Sequence, residues 1–286
     1  MLEKIAEYAP QALRENKICR SLWRKFIYCI RLGPRMYIKC NYGRHSSKLK
    51  KFKDIHKGQR GFIIGSGPSI EQTNLSLLKD EIIFGVNSLY AGLTKFGITC
   101  DYYAVSDGIM WRNHFKGILS VDTTLFLGGW AGRKYLEDLG LFRKYERRKP
   151  TVVRQLGWIH DSNGNFYFSK DMSKGAYEGS TVIIDMCLQM AYYMGFKEVY
   201  LLGCDCDFSG SLHFDGAPAV SEDKIARLKP TDPGYLRSTN DWSRIFAAYE
   251  KCKKVYEEDG REIINATVGG KLEVFKRKRL EEVIGE

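Results

Sequence analysis

From Gly58 to the C-terminus, short apolar segments alternate with helix-like ones, and this alternation constrains the chain more than any single motif. Strand character appears at Gly61–Gly65, Ile82–Val86, Asp101–Val105, Thr123–Leu127, Thr151–Leu156, Glu198–Gly203 and Glu262–Asn265. Helical candidates fall between them at 71–79, 89–96, 130–139, 181–194 and 241–258. Such an order predicts an α/β fold: a Rossmann-like, mostly parallel sheet with helices on both faces. The helix over 181–194 is the best defined, with Ser180 or Thr181 as N-cap and Gly195 as its stop. Residues 207–240 carry no periodicity but hold Gly210, Gly216, Pro218, Pro230, Pro233 and Gly234. A loop of that length inside a compact domain points to a lid or an acceptor-binding region.

Charge separates the first sixty residues from the rest. They hold 16 Lys and Arg against 4 Asp and Glu, whereas the remainder is close to neutral although the whole chain carries +11. Within this basic arm, taken as residues 1–57, Ile18, Leu22, Phe26 and Ile30 recur at helical spacing. Trp23 and Ile27 widen the stripe, and Arg20, Arg24, Lys25 and Arg31 carry the charge. Gly33-Pro34 ends that helix, and a second basic run follows at Lys48, Lys50, Lys51, Lys53 and Lys57. Residues 18–57 therefore suit an anionic membrane surface, with packing on the body or on a second subunit as the competing reading. A nucleic-acid binder is disfavoured, because the positive charge is confined to the arm and no RNA- or DNA-binding motif occurs.

An apolar content of 44% with 13% aromatics is that of a globular chain. No run of 18 uncharged apolar residues exists, and Met1-Leu2-Glu3-Lys4 lacks a secretory layout, so a cytoplasmic chain is expected. None of the eight cysteines forms a CxxC pair, which argues for reduced, mostly buried thiols and against a zinc or redox site. That applies to Cys204 and Cys206, which flank Asp205 in an apolar strand.

Four constellations could carry chemistry. In Phe62-Ile63-Ile64-Gly65-Ser66-Gly67-Pro68-Ser69, a strand runs into a glycine turn after which a helix is expected. Glycines let a backbone approach a ligand, and helix-terminal N–H groups favour anions. The turn is neither GxGxxG nor a P-loop, and a tight strand–helix turn without a ligand competes with the binding reading. Asn87 and Ser88 end the second strand, where ligands of open α/β sheets bind; the alternative for Asn87 is a helix N-cap. Asp107 ends the third strand, where it would hold Mg²⁺, orient a sugar or cap the helix that starts at Gly108. Trp111, Arg112, Asn113 and His114 come next as pocket-rim candidates, a packed Trp and a solvated His being the plainer alternatives. Finally, Asp205, Asp207 and His213 lie within nine residues after an apolar strand, a spacing that suits acid/base or metal chemistry. His213 is the only histidine after residue 160.

Taken with Gly179–Thr181 and Ile264-Asn265-Ala266-Thr267-Val268-Gly269-Gly270, these segments resemble the DUF115, or MptE-like, family across roughly residues 60–270. That family includes motility-accessory glycosyltransferases, which attach nonulosonic acids to flagellin, and archaeal 6-hydroxymethylpterin diphosphokinases. More distantly, the chain is similar to bacterial sialyltransferases that use CMP-sialic acid. The resemblance implies that Gly65, Ser66, Gly67, Pro68 and Ser69 lie beside the donor phosphate and Asn87 and Ser88 near ribose or base. It implies a further donor contact at Ser180 and Thr181, and Asp107, Asp205 and His213 as catalytic groups nearest the transferred moiety. In one respect the chain departs from the sialyltransferases: Asp207 and His213 stand in the region of their tyrosine pair, and their catalytic histidine, further along the chain, has no counterpart.

The resemblance leads to two activities. The first is a glycosyltransferase in surface-glycan biosynthesis, taking a CMP-sugar and a glycan or glycolipid acceptor on the inner membrane face, with no tightly bound cofactor. The second is a diphosphokinase using ATP and Mg²⁺, with Asp107, Asp205 and Asp207 as the carboxylates to test. A homo-oligomer is compatible with both.

Overall fold

A computed structural model describes residues 41–161, 164–207, 214 and 243–285. The chain divides into two compact units, Met1–Arg44 and His45–Glu286. Of the first, only the helical residues 41–44 are described, so the amphipathic stretch at 18–32 lies outside the described residues, as does nearly all of the expected lid.

The second unit is built on an eight-stranded, wholly parallel sheet. Its strands are β1 (Arg60–Ile64), β2 (Ile83–Val86), β3 (Tyr102–Val105), β4 (Thr124–Leu127), β5 (Thr151–Val152), β8 (Glu198–Leu202), β9 (Glu262–Asn265) and β10 (Lys276–Arg277), in the order β10-β9-β8-β1-β2-β3-β4-β5. The Rossmann-like expectation is met. Phe62, Ile63 and Ile64 are all buried, as a parallel strand covered on both faces requires. On one face Phe62 stacks on Tyr200 with ring centroids 5.0 Å apart. Elsewhere in the core Phe52 meets Phe126 edge-on at 5.1 Å, and Phe84 leans on Tyr102 at 4.8 Å.

Three expectations need correction. The strand forecast at Thr151–Leu156 breaks after Val152, and β6 (Gln155–Trp158) leaves the main sheet to pair with β7 (Ala176–Glu178) as a separate two-stranded sheet. The segments expected as helices at 71–79 and 89–96 are short 3-10 turns, Pro68–Gln72, Leu75–Leu78 and Asn87–Ala91, plus a single α-turn at Leu93–Phe96. Finally, the compact unit begins at His45, ahead of Gly58. Leu49 and Phe52 are buried in its core, and the Asp54 and His56 amides donate to the carbonyls of Tyr193 and Met194. The second basic run is therefore part of the folded body, with all five lysines exposed.

Three helices follow strands of the sheet and its satellite: α1 (Gly108–Ser120), α2 (Gly129–Glu137) and α3 (Gln189–Met194), the last continuing a π-helical turn at Ile183–Leu188. A fourth, α4 (Ser243–Glu258), buries Tyr249, Cys252 and Tyr256. Cys100, Cys187, Cys204, Cys206 and Cys252 are free thiols. Burial holds the Cys204 thiol well above its ordinary range and pushes Cys206 up to about 12, so both are inert structural groups.

Candidate functional site

The chain winds outward from β1 to β5, then returns to place β8 on the other side of β1. The crevice where β1 and β8 diverge is the topological switch point of this sheet, where open α/β folds hold their ligands. The glycine turn lies there, but its amides are already engaged. Gly65 N–H donates to Leu202 O at 2.8 Å, Gly67 N–H to Gly203 O at 3.0 Å and Ser69 N–H to Asp205 Oδ1 at 3.1 Å. Ser69 Oγ also donates to Asp205 Oδ2 at 2.8 Å. The expectation that helix-terminal amides await an anion is thus corrected for Gly65, Gly67 and Ser69: their N–H groups lock the turn to the end of β8, and the helix is only the five-residue turn Pro68–Gln72. The glycines are explained by the same contact. A Cβ at Gly65 would lie 2.4 Å from Gly203 O. Ser66 O accepts from the Phe214 N–H at 2.8 Å.

The remaining expected residues fall along the same sheet edge. Asn87 adopts φ +51, a left-handed conformation that asparagine tolerates better than most residues. It caps nothing: its side-chain Oδ1 is buried without a partner among the described residues, as is Ser88 Oγ. Tyr103 fixes this corner, its hydroxyl lying 2.9 Å from Asn87 O and 2.8 Å from the Tyr90 N–H that donates to it. Asp107 is the N-cap of α1, accepting from Ile109 N at 2.7 Å and Met110 N at 2.9 Å. Trp111 is packed in the core, Arg112 and Asn113 are exposed, and His114 Nδ1 lies 3.0 Å from Tyr90 Oη. Asp207 pairs with Lys271 at 2.9 Å. His213 lies outside the described residues.

Asp107 and Asp205 do not converge. They stand at the ends of β3 and β8, which β1 and β2 separate, three strand spacings or roughly 14 Å apart. Asp205 is held by Ser69, Asp107 by its cap and Asp207 by Lys271, so the described residues do not gather the three carboxylates named for a Mg²⁺-dependent reaction into one group.

The structure adds an acid that sequence reasoning missed. Glu178 ends β7 and is only 5% exposed; its Oε1 accepts from the Gly129 N–H at 2.6 Å, just past the end of β4. Gly129 has φ +43, and a Cβ there would lie 2.0 Å from Glu178 Oε2, so the position admits only glycine. Asp185, in the π-helical turn and also buried, accepts from Ser180 N at 3.0 Å and Gly179 N at 3.2 Å. Burial first, then the neighbouring Asp185 charge, raises Glu178 to about 8, against the smaller opposing pull of the Gly129 N–H. Thr181 Oγ1 receives the Ile184 N–H at a long 3.5 Å, so the turn at Ser180 and Thr181 is organised chiefly by Asp185. No spacing rule points to Glu178, because its setting depends on a contact 49 residues away. The adjoining Gly179-Ser180-Thr181 was the available signal.

A parallel sheet with its polar groups gathered at the carboxyl edge defines a doubly wound α/β domain. The chain belongs to the family described as 6-hydroxymethylpterin diphosphokinase MptE-like, which it matches over residues 35–211. Among solved structures it is similar to the MAf glycosyltransferase from Magnetospirillum magneticum AMB-1, at 15% identity with a TM-score of 0.46, covering 92% of this chain and 42% of that one. The chain thus spans less than half the length of that protein. No curated protein matches it. Among the described residues, no helix is long and apolar enough to cross a membrane.

Proposed function

We propose that the protein is a glycosyltransferase that passes a sialic-acid-like sugar from a CMP-activated donor to a glycan or glycolipid acceptor. The observation that carries this reading is Asn87, held in a left-handed conformation beside the switch point with its amide oxygen buried and unpartnered among the described residues. A buried acceptor without a partner costs about 1–3 kcal/mol, and a ligand N–H or O–H recovers it. The cytosine amino group and the ribose hydroxyls are such donors. In the reaction an acceptor oxygen attacks the anomeric carbon, the bond to the phosphate oxygen breaks, and the nucleotide leaves with that electron pair. The step requires a proton acceptor at this edge and no resident cofactor. The basic N-terminal segment, including residues 18–57, would hold the enzyme at an anionic leaflet that carries lipid-linked acceptors.

The family description supports a second reading, transfer of pyrophosphate from ATP to a hydroxymethyl group. That reaction calls for carboxylates converging on Mg²⁺, and Asp107 and Asp205 stand three strands apart. We therefore rank glycosyl transfer first. A thermal-shift panel of CMP, CMP-sialic acid, UDP and ATP, each with and without Mg²⁺, tests the order. Ligand at a hundred times its Kd stabilises by about 2.7 kcal/mol, a shift of several degrees. CMP and CMP-sialic acid are expected to give it without metal; a response to ATP with Mg²⁺ alone reverses the ranking.

A further inference from the structure

Two tryptophans are the most exposed large apolar side chains among the described residues: Trp130 at 66% and Trp158 at 59%. Indoles so open to water are unusual unless something covers them. Both adjoin Glu178. Trp158 is its neighbour across the β6–β7 ladder and lies over Gly179, where a Cβ would come within 2.6 Å of the indole. Trp130 directly follows Gly129, whose N–H holds the Glu178 carboxyl, and covers Gly108 at the start of α1. Glu178 itself is more than nine-tenths buried, and the Gly129 N–H is the one hydrogen bond made to its carboxyl by the described residues. A buried acid with one oxygen uncommitted, with one solvent-facing indole at its strand partner and another next to its hydrogen-bond donor, suits a ring with apolar faces and a hydroxyl to offer.

We propose that Trp130 and Trp158 flank the glycosyl group of the donor and that Glu178 is the catalytic base that takes the proton of the attacking hydroxyl. This assignment rests on the glycosyl-transfer reading. In the step, the acceptor oxygen forms a bond to the anomeric carbon, and the anomeric carbon–phosphate oxygen bond breaks with its electrons leaving on CMP. The hydroxyl proton passes to the Glu178 oxygen not held by Gly129. Among the described residues Asp185 is the charged group acting on Glu178, and the Gly128-Gly129 backbone lies against its carboxyl. A base whose affinity for protons sits near the working pH is effective in this role, and burial with Asp185 supplies that tuning.

The test uses the full chain with CMP-sialic acid as probe and water as acceptor, reading CMP release, beside CMP binding by thermal shift. Wild-type release is expected to rise with pH to a plateau above about 8, because the base must first lose its proton. Glu178→Gln keeps the oxygen that receives the Gly129 N–H and should cut release at least ~100-fold with CMP binding unchanged. Trp130→Ala and Trp158→Ala should each raise KM for CMP-sialic acid about tenfold while leaving CMP affinity alone. Undiminished release by Glu178→Gln overturns the role of the acid, and loss of CMP binding in the tryptophan variants reassigns the indoles to the base and overturns the sugar subsite. Should Glu178→Gln fail to fold, a wild-type profile flat between about pH 6 and 9 is the overturning result. Absence of any shift with CMP or CMP-sialic acid removes the glycosyl-transfer reading and this inference with it, an outcome distinct from bound donor with unaffected turnover.

Discussion

Gly67 shows how a residue can be legible in sequence for a reason other than the expected one. Its absent side chain makes room for a neighbour: a Cβ would lie 2.0 Å from Asp205 Oδ2 and 2.6 Å from Gly203 O. Gly67→Ala should therefore destabilise by about 1–3 kcal/mol, as overpacking does. Asp205→Ala should cost a comparable amount, since it strips Ser69 of the acceptor for both its N–H and its hydroxyl. Urea titrations of both variants decide this, and stability within a few tenths of wild type would return the turn to a purely ligand-binding role. Glu178 and His45 add opposing pH dependences. Glu178 is raised from 4.5 to about 8, so between those values the folded chain holds a proton that the unfolded chain lacks. Stability then falls as pH rises through that window, by up to about 1.4 kcal/mol per pH unit. Burial first, then Lys48, lowers His45 from 6.5 to about 4, and its Nδ1 accepts the Val152 N–H at 3.1 Å. Between those two values the unfolded chain gains a proton that the folded one refuses, so the stability His45 contributes is lost as pH falls. Glu178→Gln should abolish the fall of Tm between about pH 6.5 and 8 and unmask the His45-driven rise between about 4.5 and 6.5, where the two dependences otherwise offset one another.

Among the elements, the parallel strands were legible because each of β1–β4, β8 and β9 is a run of apolar residues that needs only burial on both faces. What periodicity could not show was the π-helical turn in the segment expected as regular helix over 181–194. Gln189 explains it. This fully buried side chain donates to Ile184 O, Asp185 O and Tyr177 O at 3.0, 2.8 and 2.8 Å, and accepts from Ser169 N and Tyr177 N at 2.9 and 3.1 Å. It thereby captures helix carbonyls at the π turn and ties that turn to β7, the strand that ends in Glu178. Such wiring depends on backbone groups brought together by folding, and no local pattern announces it. Gln189→Leu should lose roughly 3–5 kcal/mol, because five backbone groups forfeit a buried partner at once. Because Asp185 sits within the same turn, the variant should also loosen the Gly179 and Ser180 amides it holds. Hydrogen exchange at those two amides is the readout; protection equal to wild type would mean that the turn stands without Gln189.

For the whole molecule, the question is where the folded body starts. Charge places the boundary near Gly58, since the lysines continue to that point, but charge does not report on burial. Leu49 and Phe52 alternate with exposed lysines between 48 and 53, and their apolar side chains seal the core beside Tyr102 and Phe126. The stretch also lends backbone: the Asp54, His56 and Gly58 amides donate to carbonyls of Tyr193, Met194 and Gly195 at the end of α3. A basic surface and a core-forming strap are thus the same residues, their lysine stems turned to water while the alternate positions face inward. Two truncations separate the roles. Removing residues 1–44 takes away one compact unit and none of the described core residues of the other, so Tm should stay within a few degrees of the full chain. Removing residues 1–57 exposes the Phe126–Tyr102 face and orphans carbonyls at the end of α3, at a cost of about 4 kcal/mol or more. On anionic vesicles the 1–44 deletion should float less than the full chain, because it lacks the amphipathic stretch at 18–32, yet keep some salt-sensitive binding through Lys48, Lys50, Lys51, Lys53 and Lys57. Equal flotation of the two proteins would put membrane attachment on the folded body, and no flotation of either would remove it from the function altogether.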